Sequence, residues 1–446
     1  MQAGLPQGPG YPAIVQGMGF WTRPLAFLQR CRARYGPRFT IRLPGSPPFV
    51  MLTDPDEVKQ VFTAPPDVLE PGAGARVLAP IVGSNSVILL DGAGHMEQRK
   101  LMLPAFHGQQ MGRLADLMAE IAEQEVASWP RETPTELHPR MQDLTLKIIL
   151  RAVFGLDPGA RFDALRERLQ AMLAFGDKPI SLMPPPPDSL VSKVLERVGP
   201  FASFVRIQAE VDEMIFDLIA ERRADHADRD DILAMLLDAR HEDGSPMSQQ
   251  EIRDELMTLL VAGHETTAST LAWAFERLST RPDVLTRLTD AVDAGDDAYV
   301  TATIQETLRL RPVLPNVAPR LVAKPIEVGG WEYPTGVCLV PNGYLIHHDP
   351  GIYPDPYVFR PERFLDEQPG TYTWIPFGGG RRRCIGMSFA MLEMKLVLRA
   401  VLNACELRPA GHGFEVPRRR NITIRPAQGA TAVLGDRRPA AVPTAA

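Results

Sequence analysis

The chain reads as mainly α-helical with small β-sheets at its two ends, built as one large helix-rich domain. Three observations predict this. Helical patterns dominate from about residue 96 to residue 311, and a capping box opens one run long enough to cross a domain. Short extended segments, punctuated by proline and glycine, gather near 39–52 and beyond 312. The 43 prolines are spread over all 446 residues rather than confined to one linker. Hydrophobic residues at 45% and charged residues at 23% are the ordinary mix of a globular protein, which excludes disorder or coiled coil for the whole. The 48 basic and 54 acidic side chains leave a formal charge of −6, the wrong sign for a nucleic-acid binder.

Taken in order, residues 1–20 are rich in glycine and proline and lack a basic head or continuous apolar core. They are expected to be a flexible segment, neither secretory signal nor membrane anchor. Residues 39–43 and Phe49–Leu52 read as strands around the Pro-Gly-Ser-Pro-Pro turn at 44–48. Asp54 is placed to cap a helix with Pro55 in its first position and acids in its first turn. Residues 71–86 are small and without period, and are predicted as a mobile loop. The prolines Pro184, Pro185, Pro186 and Pro187 must run extended, because each fixes its backbone and lacks a donor. A stiff connector and the hinge of a lid are both open there. Ser248 and Glu251 form a capping box that opens a helix to about Thr280, about 45 Å long at 1.5 Å per residue.

Beyond 312 come strands at Ile326–Val328 and 337–340, a last helix at 387–402, and a strand-turn pattern at 421–434. Residues 21–435 thus make up the domain, with 436–446 a flexible tail. No stretch approaches the ~20 apolar residues of a spanning helix. The four cysteines, Cys31, Cys338, Cys384 and Cys405, form no CxxC pair, so a cysteine zinc site or disulfide framework is not expected. A reducing cytoplasm fits this usage.

The segment Phe377-Gly378-Gly379-Gly380-Arg381-Arg382-Arg383-Cys384-Ile385-Gly386 carries the chemistry. Its glycines permit positive backbone torsions and let the chain fold tightly behind a sulfur atom. Cys384 stands before a helix, whose free N–H groups and dipole favour a thiolate, a soft ligand suited to iron. Standing alone, such a residue could also be a buried free cysteine. Glu306 and Arg309 share one helix face, a spacing that usually gives a weak solvated bridge. Gly263 costs the long helix about 1 kcal/mol relative to alanine, so something large lies against the backbone or the helix kinks there. Glu265 and Thr266 beside it could open the helical ladder and order water. His95 and Arg99, one turn apart, can reach the same anion.

Phe377, Gly380, Arg382, Cys384 and Gly386 meet every specified position of Phe-x-x-Gly-x-Arg-x-Cys-x-Gly, and the segment resembles the haem-binding loop of the cytochrome P450 family. The resemblance extends over nearly the whole chain. It implies the P450 fold, with haem b buried between the long central helix and the cysteine-loop helix. By resemblance Cys384 is the iron's proximal thiolate ligand, Arg382 pairs with a haem propionate, and Phe377 packs on the sulfur side. His95 and Arg99 bind propionates too, with Arg320 or a neighbour as a third contact. Glu306, Arg309 and Arg363 form a buried structural network. Thr266 contacts the bound oxygen and Glu265 relays protons, while His264 occupies a variable position and receives no role.

The implied function is a monooxygenase that activates O2 with two supplied electrons and inserts one oxygen atom into an apolar molecule: a lipid, terpenoid, steroid or polyketide. Val82, Leu260, Ala262, Val313, Val317 and Ile422 are expected to line the substrate pocket. No flavin or nicotinamide domain follows residue 446, so electrons are expected from a separate ferredoxin and ferredoxin reductase. Arg381 to Arg383, with Lys100, could form their docking face, although arginine runs are usually just solvated. A monomer is expected. A peroxide-using or isomerising enzyme of the same fold, and a non-enzymatic haem carrier or sensor, are the rival readings.

Overall fold

The axis of the structure is the helix Gln249–Ser279, 31 residues long. The Ser248 hydroxyl accepts from the Glu251 backbone N–H at 3.1 Å, and the Glu251 carboxylate accepts from the Ser248 N–H at 2.7 Å. The capping box therefore forms as expected. Most of this helix is buried, because it packs against Leu137–Ala152 on one side and Met387–Ala404 on another. The computed structural model describes residues 4–106, 108–177, 200–225, 229–411 and 413–436. Pro184 to Pro187 and the tail beyond 436 lie outside them.

A five-stranded sheet stands beside the helices, in the order Arg38–Ile41, Phe49–Leu52, Cys338–Pro341, Arg320–Val322, Leu69–Glu70. Phe49–Leu52 runs parallel to Cys338–Pro341, and the other pairings are antiparallel. Pro417–Arg420 and Thr423–Pro426 form a separate hairpin. Thr431–Asp436 joins a three-stranded sheet with Pro134–Glu136 and Cys405–Pro409. Asp54 caps Pro55–Thr63, accepting from Asp56 N at 2.9 Å and Glu57 N at 3.2 Å. Among the described residues no helix is long and apolar enough to cross a membrane.

Two expectations are revised. Residues 71–86 are packed as short turns, Pro71–Gly74, Arg76–Leu78 and Ala79–Val82, rather than left as a loop. A β-carbon on Gly72 would lie 2.1 Å from the Leu89 carbonyl oxygen, and one on Gly74 2.2 Å from that of Pro319. The small residues there serve close approach, which leaves no apolar period to read. Residues 4–20 are also packed rather than loose. Buried Gln16 donates to Pro9 O at 3.0 Å and Tyr11 O at 2.8 Å and accepts from Arg42 N at 2.9 Å. It folds the segment back on the helix Ala13–Thr22. Strand bounds differ slightly from those predicted: Arg38–Ile41 for 39–43, and Cys338–Pro341 for 337–340.

The long helix also straps down the segment at 83–90. Asp254 accepts from Asn85 N at 3.0 Å and Asn85 Nδ2 at 2.9 Å. Thr258 donates to Ser86 Oγ at 2.7 Å, and Glu255 accepts from Val87 N at 2.8 Å. Burial pushes the Glu255 carboxyl up to about 8 against the opposing Val87 hydrogen bond. The unfolded carboxyl titrates near 4.5, so the folded chain binds the extra proton between about pH 4.5 and 8. Stability from this group is complete below that window and falls as pH rises through it. Glu255→Gln keeps an acceptor for Val87 N–H and should flatten that fall, read as urea midpoints of both proteins across the window.

Candidate functional site

The loop before Cys384 is shaped by its glycines. Gly378 and Gly380 have φ of +69° and +62°. A β-carbon on Gly380 would stand 2.1 Å from the Phe62 carbonyl oxygen. Phe377 O accepts from Cys384 N at 2.9 Å, which closes the loop behind the sulfur. The Phe377 ring meets Trp374 edge-on, with centroids 5.9 Å apart. Cys384 is exposed to solvent-sized space, yet protein surrounds its sulfur on nearly every side. Together these describe the wall of an internal recess. A β-carbon on Gly386, which caps the helix Met387–Ala404, would meet nothing of the protein within 4 Å.

Burial pushes the Cys384 thiol up, while the Gly386 backbone hydrogen bond and the charges of Arg99 and Arg383 pull it down. A thiolate here therefore calls for a cation at the sulfur. Among the described residues no cluster of three or more His, Cys, Asp or Glu could hold a metal ion. A porphyrin would bring a metal on Cys384 its other ligands.

Cations crowd the same region. Burial, then Arg382 and Arg99, lower buried His95 to about 3. Burial, then the charge of Arg382, lowers Arg320 to about 10, and burial lowers Arg382 to about 10 against the favourable charge of Asp91. Arg320 donates to Ala318 O at 2.8 Å and lies 4.9 Å from the Phe62 ring centroid. Arg99 has no hydrogen bond or ion pair among the described residues. Asp91, 2.7 Å from Arg382, is the one carboxylate ion-paired to this group. Arg382 also donates to Val87 O at 3.1 Å and to Leu90 O. Three arginines against one aspartate leave room for anionic charge, and two propionates meet that need. The residues fit a haem.

Behind the loop, Glu306, Arg309 and Arg363 come together. Arg309 makes two parallel bonds to Glu306, at 2.7 and 2.9 Å, with both side chains sealed from solvent. Arg363 Nε lies 3.1 Å from Glu306 Oε2, and Arg360 N donates to Oε1 at 2.9 Å. Arg309 donates onward to His347 O at 2.7 Å and Pro356 O at 2.8 Å. His347 Nε2 in turn accepts from Ile375 N at 3.0 Å, so its proton sits on Nδ1. Burial, with His348 and Arg309, keeps this ring neutral. A chain of contacts thus runs from Glu306 to the segment carrying Phe377 and Cys384.

On the long helix, the Thr266 hydroxyl donates to Ala262 O at 2.6 Å, and Thr270 donates to Thr266 O at 2.8 Å. The stretch is helical throughout, so the expected local opening does not interrupt the helix. Gly263 also lies close to a neighbouring helix. A β-carbon there would approach Ile149 Cδ1 to 3.3 Å, so the glycine accommodates the neighbouring helix Leu137–Ala152. Glu265 turns into a polar network. Its carboxylate accepts from Gln142 Nε2 at 2.8 Å and Ser269 Oγ at 2.8 Å, stands 3.2 Å from His138 Nε2, and is ion-paired with Arg420. Burial alone would raise this carboxyl. The His138 hydrogen bond and the Arg420 charge reverse that and hold it well below the usual carboxylate range. His264 faces Gln142 O, 3.0 Å from Nε2.

Of the six pocket residues, Ala262 and Ile422 face open space. Val82 and Leu260 are sealed from solvent, Leu260 within the main core; Val313 packs with Trp273 and Ile424, and Val317 lies in a second core with residues of the five-stranded sheet. Two residues of a helix turn through about 200°, which sends Leu260 to the face opposite Ala262. Arg381 and Arg383 are exposed. Lys100, also assigned to the expected docking face, is already 2.8 Å from Glu242. Asp91, His138, Gln142, Ser269, His347 and Arg420 were not singled out in the sequence. Only Arg420, in the run Arg418-Arg419-Arg420, carried a visible signal.

Comparison with known proteins gives one answer. The family model for cytochrome P450 matches residues 6–430. A Mycobacterium tuberculosis protein described as cytochrome P450 135B1 is 40% identical over 435 residues, covering 96% of this chain and 90% of that protein. Another from that organism, described as cytochrome P450 138, is 38% identical over 432 residues and 96% of each chain. Among solved structures, retinoic-acid-bound cyanobacterial CYP120A1 superposes with a TM-score of 0.84 at 23% identity, covering 97% of this chain and 100% of that one. The haem domain of cytochrome P450DA gives 0.81 at 22% identity and 98% of each.

Glu306→Ala would leave Arg309 sealed from solvent without its carboxylate, a loss of about 3–5 kcal/mol for a broken buried pair. The urea unfolding midpoint should fall accordingly; an unchanged midpoint would show that the backbone carbonyls alone hold Arg309.

Proposed function

The chain belongs to the cytochrome P450 family, and from that premise we propose which reaction this haem-thiolate monooxygenase performs and which residues serve it. The reaction is insertion of one oxygen atom from O2 into a C–H bond or alkene of an apolar small molecule. A separate ferredoxin and its reductase supply the electrons. The observation that carries this reading is Cys384, a lone sulfur donor on the wall of an internal recess where three arginines share one aspartate.

Cys384 would hold the iron of haem b, with Arg99, Arg320, Arg382 and His95 at its propionates. When bound, the haem supplies reductive O2 activation, consuming two electrons and two protons, transferring one oxygen atom and releasing the other as water. The chain's own residues govern what surrounds that chemistry. Gly378 and Gly380 hold the loop tight, and the Gly386 backbone hydrogen bond moderates the charge on sulfur. Thr266 holds a proton at Oγ1, directed at Ala262 O in the resting helix and free to turn toward a nearby acceptor. Glu265 is kept ionised by His138 and Arg420, which lowers its affinity for a proton, so it would pass protons along its hydrogen-bonded partners rather than store one. Ala262 and Ile422 offer small apolar surface to the substrate. Exposed Arg381 and Arg383 suit an acidic ferredoxin at the sulfur side.

The Glu265–Thr266 pair favours O2 over peroxide as the oxidant. Turnover with a ferredoxin–reductase pair should exceed turnover with hydrogen peroxide, and the reverse ranking would favour the peroxide-using reading. Cys384→Ser should abolish the ferrous–carbon monoxide absorption band of thiolate ligation, whereas a retained band would place the ligand elsewhere. Thr266→Ala should keep electron consumption while diverting it from product to peroxide; unaltered coupling would remove Thr266 from the proton path.

A further inference from the structure

Two successive arginines of the Pro417–Arg420 strand differ in their partners. Arg420 reaches the long helix and pairs with Glu265, one residue from Thr266. Arg419 points to the other face, with its guanidinium 4.3 Å from the Phe20 ring centroid. Its Nε and Nη2 are sealed from solvent and have no hydrogen-bond partner among the described residues. No carboxylate there pairs with it either. The residue as a whole retains partial access, so it borders open space rather than solid core. Burial alone lowers its pKa to about 10, with no opposing charge.

The surroundings cannot readily neutralise it. Phe20 belongs to the first 53 residues, which contain no aspartate or glutamate. Glu415, two residues before the hairpin, is committed to Gln428 N at 2.7 Å and Ala430 N at 2.9 Å. The ring contact with Phe20 offsets only part of the cost of taking a guanidinium out of water. Arginine's planar fork is shaped for a carboxylate. The hairpin stands beside the proposed site. Ile424, the register partner of Arg419, donates its N–H to Val313 O at 2.9 Å and accepts from Trp273 of the long helix at 3.0 Å. Ile422 at the tip is exposed.

We propose that Arg419 anchors a carboxylate borne by the substrate, so that the natural substrate is an apolar carboxylic acid rather than a neutral molecule. This rests on the haem-thiolate reading above and narrows its substrate class. The apolar skeleton would extend from the hairpin toward Ala262 and Thr266, and the fixed head would select which carbon is oxidised.

The test titrates the haem-loaded protein with matched pairs, straight-chain and terpenoid carboxylic acids against their methyl esters, followed by the Soret shift. The acids should bind roughly tenfold or more tightly than the esters, the effect of one charge-assisted hydrogen bond. Arg419→Gln should erase that preference, Arg419→Lys should retain part of it, and Arg418→Gln, at an exposed neighbour, should leave it intact. In the unaltered protein the preference should also fade once pH falls below the ligand's own carboxyl pKa, a readout that needs no variant. Equal binding of acid and ester, no shift with any acid, or an undiminished preference in Arg419→Gln would overturn the proposal. The carbon monoxide band separates the two failures: its absence sinks the haem-thiolate reading, while its presence with no acid preference sinks the anchor alone.

Discussion

Everything at the site depends on one sealed ion pair, Glu306 with Arg309. Two charged groups without solvent are tolerable only because each lone pair and N–H is used. Arg309 gives its remaining donors to carbonyls of residues 347 and 356, and Glu306 takes Arg363 and the Arg360 N–H. The pair therefore acts as a hub that fixes the backbone on three sides. Through neutral His347 it reaches Ile375, two residues before the aromatic whose carbonyl holds Cys384 N. The sulfur's position is set by this rigid relay rather than by the flexible glycines around it. The glycines only allow the chain to follow the path.

The electrostatics divide sharply between the two flanks of the recess. On the sulfur flank, guanidinium groups accumulate with a single aspartate among them, and burial presses each toward neutrality. On the opposite flank, Glu265 is over-supplied with donors and remains ionised. Each imbalance is tolerable for a reason. The first suits an anionic guest, while in the second the carboxylate is matched by His138 and Arg420.

Much of this was legible in the sequence. The capping box, the Asp54 cap and the helix after Cys384 follow from local chemistry, and the structure forms them where local rules put them. Glu306, Arg309 and Arg363 could be joined only through the family pattern, since 54 residues separate Arg309 from Arg363 and no local signal links them. The failures share one cause. Gly72 and Gly74 look like loosening residues, yet each meets a backbone carbonyl well removed in sequence, and a one-dimensional pattern does not show close approach. Burial divides the six pocket residues: Leu260 and Ala262, two positions apart, face opposite ways, and only Ala262 meets open space. His138 and Gln142 were invisible because nothing in an amphipathic helix announces that its polar residues will meet a carboxylate more than 120 positions away.

The strap at 83–90 bears on how the molecule matures. Its fastenings are among the most distant in the chain: Asn85 to Asp254 spans 169 positions, and Val87 to Arg382 spans 295. Contacts closing loops of that size carry a larger entropic penalty and form late. During synthesis the strap emerges long before either anchor exists. The recess it borders, walled by Cys384, is therefore completed only after the C-terminal third has been made, and the strap is then fastened from two sides, by the long helix and by the arginine of the cysteine loop.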